Sequence, residues 1–189
     1  MKTILIATCA TALAACSSGG TVDVGASSKP LTNQQAMLPN VSAGSKTELL
    51  VTVREVDVHV ADDAAAEQDK SNDQSADGWI TVFTGARVLD LFDVAATERF
   101  LGSATVPAGR VTQVRLVLDG NVTLVVDGVA QTLRCPSCSE SGLKIVTEGD
   151  VTVAPGGHLH LDLEFDLDAS LTLDGGALIL RPTVKLQQR

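Results

Sequence analysis

The sequence predicts an all-β chain: an antiparallel β-sandwich (Ig-like or transthyretin-like, with Greek-key connections) carrying one short helix, after a signal peptide and a flexible tether. Three observations predict it. About ten short runs alternate apolar and polar residues with period two. Gly, Pro and Asp turn signals separate them. Hydrophobic residues make up 44% of the 189 residues, mostly Val, Leu and Ala, enough to bury a core. Such a chain folds as two packed sheets more readily than as a barrel.

The chain starts with an address. Lys2 supplies a positive n-region, and Ile4 to Ala15 is a short apolar stretch. It falls short of the ~20 residues needed to span a bilayer, and it fits an export signal. Leu13-Ala14-Ala15-Cys16 resembles a bacterial lipobox, in which the cysteine thiol is acylated and the leader is cut before it. Residues 1–15 are therefore expected to leave as a lipoprotein signal peptide, with Cys16 as the lipidation site. Several acyl chains would anchor a domain stably where one would be marginal. The alternative is an ordinary secretory signal with a chance Cys. Ser17, rather than Asp, points by analogy to the outer membrane of the cell envelope. Residues 16–45, rich in Ser, Gly, Thr, Gln and Asn, read as a tether holding the domain off the membrane.

The domain is expected over 46–189. In "LLVTVREVDVHV" the alternation slips: Val51 and Val53 are odd, while Val56, Val58 and Val60 are even. Arg54 and Glu55 sit at the slip, which predicts a β-bulge there. "ADDAAAEQDKSNDQSADG", Ala61 to Gly78, carries six acids against one Lys and reads as an exposed loop. It lacks the spacing of a calcium loop. Strands follow in "WITVFT" and "RVLDLF". "DVAATERFL" has helical spacing and is taken as the short helix. Next come "GSATV", a turn at Pro107-Ala108-Gly109, and "RVTQVRLVLDG". "NVTLVVDGVAQTL" reads as a hairpin turning at Asp127-Gly128. The strands "LKIVT", "DVTV", "HLHLDLEFDLD" and "ALILRPTVKL" close the chain.

The ordered set Gly78-Trp79, Pro107-Ala108-Gly109 with Gln113-Val114-Arg115-Leu116, Ser141-Gly142-Leu143-Lys144, Phe165-Asp166 with Ser170, and Leu180-Arg181-Pro182 resembles the bacterial lipoprotein domain of unknown function number 4382. The likeness runs from about Glu48 to Leu186. It implies an envelope β-sandwich with no established activity, so it supplies no catalytic residue. Two departures are Val111, where the family often has an aromatic, and the added Cys135/Cys138 pair.

Charge and composition exclude some functions. A formal charge of −9 disfavours nucleic acid. One Trp and no Tyr leave little to stack sugars or bases. No G-x-S-x-G elbow, Walker loop, H-E-x-x-H or dinucleotide fingerprint is present. Ser141-Gly142-Leu143-Lys144 matches S-x-x-K, but the partner motifs of penicillin-recognising enzymes are missing and Gly142 favours a turn. Cys135 and Cys138 are expected to form a small structural disulfide in an oxidising compartment, ahead of free thiols, redox chemistry or a metal. Trp79 reads as a packing residue rather than a ligand platform.

The stretch His158 to Asp168 is the one that poses a chemical question. Leu159, Leu161, Leu163, Phe165 and Leu167 form one face; His158, His160, Asp162, Glu164, Asp166 and Asp168 form the other. The preferred reading is a solvated polar face, offset by Arg181 and Lys185 of a neighbouring strand. The alternative is a metal-binding module, with Zn²⁺ on His158 and His160 and a third ligand from Asp162 or His59, or Ca²⁺ held weakly by the carboxylates. An envelope hydrolase comes third, because neighbours on one strand do not face each other across a cleft. The function expected is a lipid-anchored cell-envelope module with a structural or binding role, no catalysis and no required cofactor. Its partners would be the membrane, through the anchor, and a protein or glycan met by loops such as Ala61 to Gly78.

Overall fold

The computed structural model describes residues 19–32, 38–42, 44–61, 78–95, 97–138 and 142–189. The signal peptide, Cys16, Ser141 and most of the acidic loop lie outside the described residues.

Among the described residues, thirteen strands form two packed sheets. In chain order they are β1 (Gly20–Lys29), β2 (Thr47–Ala61), β3 (Trp79–Asp90), β4 (Arg99–Val106), β5 (Gly109–Leu118), β6 (Asn121–Val126), β7 (Val129–Arg134), β8 (Leu143–Val146), β9 (Thr152–Val153), β10 (His158–Asp166), β11 (Leu171–Asp174), β12 (Ala177–Leu180) and β13 (Val184–Gln188). One helical turn, α1 (Leu167–Ser170), follows β10. The first sheet has the order β13-β10-β1-β4. The second runs β11-β12-β7-β6-β2-β5-β8, with β3 also on β2 and β9 on β5. The inner faces meet in one core that includes Val22, Val24, Leu49, Val58, Leu116, Leu161 and Phe165. The sandwich class holds, but the sheets are mixed rather than purely antiparallel: β1 runs parallel to β10, and β12 parallel to β7.

The phase slip in β2 has a structural cause. Along one edge, β2 pairs with β6 through Thr47–Leu50 and then with β5 through Val53–Ala61. Its register against both β3 and β5 shifts between Val53 and Glu55. Arg54 thus stands where β2 changes partner, and its Nη2 is 2.7 Å from Oδ2 of Asp119 in the β5–β6 turn. The bulge keeps Val51, Val53, Val56, Val58 and Val60 all in the core. The Asp127-Gly128 hairpin also forms, with both residues at positive φ (49° and 81°), as a tight two-residue turn requires.

Two expectations fail. Residues 20–29 do not belong to a tether. They form β1, in the interior of the first sheet, with Val22, Val24 and Ala26 fully buried. "DVAATERFL" is not the helix. Asp90 arrests the chain in a single turn, its carbonyl accepting from Asp93 and Val94 and its Oδ1 from Phe92. Arg99 onward then pairs with β1 as β4. The short helix lies instead at α1, capped by Asp166, whose Oδ1 accepts from the Ala169 amide at 3.0 Å.

Candidate functional site

The polar face of β10 is the candidate. In a parallel pair in register, facing residues share a side of the sheet. His158, His160, Asp162, Glu164 and Asp166 therefore stand beside Thr21, Asp23, Gly25, Ser27 and Lys29 of β1. Across the other edge, Glu164 faces Lys185 and Asp162 faces Gln187 of β13.

This face is not simply wet. Asp162 is fully buried, and its Oδ2 accepts from Ser27 Oγ at 2.7 Å and from Arg189 Nη2 at 2.7 Å. Its Oδ1 is buried with no hydrogen-bond partner among the described residues. Glu98 folds over the strand pair. Its Oε1 lies 2.6 Å from His160 Nε2, and its Oε2 lies 3.8 Å from Arg189 Nη1. Gly25 makes this possible, because a Cβ there would overlap the Glu98 carboxylate. At one end His158 Nε2 is 2.9 Å from Asp23 Oδ2. At the other, Lys29 Nζ lies 3.4 Å from Glu164 and 3.6 Å from Asp166. The hydrogen bond and the charge of Glu164 raise the Lys29 ammonium above its ordinary pKa, with Asp166 in support. The result is a string of paired polar and charged side chains from Asp23 to Asp166.

The cations differ from those expected. Arg181 and Lys185 do not share one strand, because "ALILRPTVKL" breaks at Pro182 into β12 and β13, which sit in different sheets. Arg181 lies 3.7 Å from Asp174. Lys29 and Arg189 reach the carboxylates instead.

The four residues weighed as metal ligands are not brought together. His158, His160 and Asp162 share a face, but each has turned to its own partner. His59 lies on β2 in the other sheet, where its Nδ1 is 2.6 Å from Thr112 Oγ1. Among the described residues, no group of three or more His, Cys, Asp or Glu could hold a metal ion.

The outer face of the second sheet carries a cluster that sequence reasoning missed. Asp57 is 2% exposed. Its Oδ2 accepts from Arg115 Nε at 2.8 Å and lies 2.6 Å from Arg115 Nη2, and its Oδ1 accepts from Thr81 Oγ1 at 2.7 Å. Arg115 also reaches Glu55 at 3.0 Å. Burial works to lower the Arg115 pKa, but the bonds and charges of Asp57 and Glu55 leave it raised overall. Trp79 lies against this cluster, 5.4 Å from the Arg115 guanidinium carbon and edge-on to His59 at 5.0 Å. The register that pairs Asp57 with both Thr81 and Arg115 is long-range and has no local sequence signal. Cys135 and Cys138 are joined as a disulfide, with both residues buried.

A family described as a domain of unknown function, DUF4382, matches residues 38–182. The chain belongs to this family. No curated protein and no solved structure matches the chain. The DUF4382 segment leaves out β1 and β13, the two strands that flank β10. Ser27, Lys29 and Arg189, which engage the carboxylates of β10, therefore come from outside the DUF4382 segment.

Proposed function

We propose that this DUF4382 chain is a lipid-anchored module of the cell envelope with a structural or binding role and no catalysis of its own. The observation that carries the reading is Leu13-Ala14-Ala15-Cys16 after a short apolar stretch, directly ahead of a β-sandwich. Among the described residues no helix is long and apolar enough to cross a membrane. An acylated Cys16 would supply a stable attachment through its several acyl chains. The absence of catalysis is supported by the way the titratable groups are used. Asp162, Glu164 and Asp57 each sit against a Lys or Arg, and His158 and His160 each hydrogen-bond a carboxylate.

The test is mass spectrometry of the mature chain from a bacterial host. The expected N-terminal peptide begins at Cys16 and carries acyl mass, and Cys16→Ser leaves an unacylated chain in the soluble fraction. A mature chain starting elsewhere, or acylation that survives Cys16→Ser, refutes the reading. The metal alternative rests on His158 and His160 and is checked on the same purified chain. Stoichiometric zinc that disappears in His160→Ala would make it the better reading.

A further inference from the structure

We propose that the domain sits directly on the membrane, with one defined end of the sandwich against the lipid headgroups. This rests on acylation of Cys16 and goes beyond it, because a lipid anchor with a long tether would impose no orientation.

Two observations carry the inference. The first is how early the chain becomes fixed. The Gly19 carbonyl accepts from the Gly156 amide at 3.0 Å, and a Cβ at Gly19 would overlap the Val106 carbonyl. Gly20 then enters β1, held on one side by β10 and on the other by β4. From Cys16 to Gly19 is three residue steps, which reach at most about 10 Å. The chain cannot lengthen this reach without pulling out β1, whose Val22 and Val24 are fully buried.

The second is which parts of the fold gather where β1 begins. Gly20 pairs with Val106 at the end of β4, and Thr21 pairs with His158 at the start of β10. The Ala154–Gly157 turn closes over Gly19 and Gly20. Gly109 pairs with Val153, and Ala61 pairs with Arg110. The turn at Pro107 and the turn at Ala154 therefore form one rim with the start of β1. The other end of the molecule carries the Asp127-Gly128 hairpin tip, where Thr47 pairs with Val126. Fourteen residue steps of β2 lead from Thr47 to Ala61, so the two ends lie up to about 45 Å apart. With a leash of about 10 Å, the first rim meets the headgroups and the hairpin tip points away.

The test uses the acylated full chain in vesicles of phosphatidylethanolamine and phosphatidylglycerol containing a nitroxide-headgroup lipid. A fluorophore is placed on Ala154→Cys at the rim or on Val129→Cys beside the hairpin tip; both positions are exposed. Quenching is expected to be several-fold stronger at residue 154 than at residue 129. Inserting twelve Gly and Ser residues between Ser18 and Gly19, a flexible span of about 20 Å, is expected to remove most of that difference. Pro107→Cys replaces the rim label if Ala154→Cys fails to fold. Equal quenching at the two ends, or stronger quenching at residue 129, on a chain whose Cys16 carries acyl mass overturns the orientation alone. A chain with no acyl mass on Cys16 overturns the lipid-anchor reading and the orientation with it.

Discussion

Val24→Ala separates a tether from a strand. In a tether, Val24 would touch only water, and its replacement would leave stability unchanged. In β1 the side chain is 0% exposed, between Leu161 on β10 and Gly102 on β4. Removing two buried carbons loses roughly 0.8 kcal/mol each in transfer free energy, and the cavity left behind adds to that, giving about 2–3 kcal/mol. For a domain of this size, each kcal/mol moves Tm by about 2–4 °C, so a fall of about 4–12 °C is expected. The assay is thermal unfolding followed by far-UV circular dichroism on the chain from Ser17, with Val22→Ala in parallel. A shift below about 1 °C in both variants would refute the placement of β1 in the core. The same reasoning makes a chain cut to begin at Thr47 fail to unfold cooperatively, because it leaves β10 and β4 without the strand between them.

Arg115→Ala strands the buried Asp57 carboxylate with Thr81 as its remaining partner, and is expected to cost about 3 kcal/mol by urea titration; Asp57→Leu with Arg115→Met should recover most of it. Gly128→Ala forces a side chain onto a φ of 81° and should cost about 1 kcal/mol, while Val129→Ala at the exposed neighbouring position should be near neutral. Arg54 beside Asp119 holds that carboxyl below its ordinary value of 3.8. A carboxyl lowered in the folded state adds stability above its unfolded pKa and loses it as pH falls through the folded one. Arg54→Ala should therefore raise the Asp119 midpoint toward 3.8 in a carbon-detected NMR titration and flatten the loss of stability in acid.

Where local chemistry decides, the sequence was legible. A change in alternation phase marks the bulge at Arg54, since only a bulge keeps five valines on one side. Asp127-Gly128 marks its hairpin because few residues tolerate positive φ twice in succession. The apolar face of β10 was legible for the same reason. β1 was not. "GTVDVGASSK" alternates only through Val22, Val24 and Ala26, and Gly20, Gly25, Ser27 and Ser28 are small where the chain is crowded. Gly25 lies beneath Glu98, and Ser27 lies beside Asp162. Composition that signals flexibility in an isolated segment here signals close approach. The polar side of β10 was misjudged as solvated for a related reason. Its covers, Glu98 and Arg189, come from a loop and from 27 residues beyond Asp162, and no periodicity links them to it.

The place of β10 also sets an order of assembly. One neighbour, β1, opens the described chain, and the other, β13, closes it. The Ser27–Asp162 bond joins residues 135 apart. Until β13 has left the ribosome, β10 has a bare edge, and the side of β1 away from β4 stays open until β10 is made, more than a hundred residues after β1. Closing loops of that length is slow, so the first sheet forms as a late, whole-chain event. A chain interrupted before Val184 would leave β10 as an apolar-faced strand with one bare edge, open to pairing with other chains.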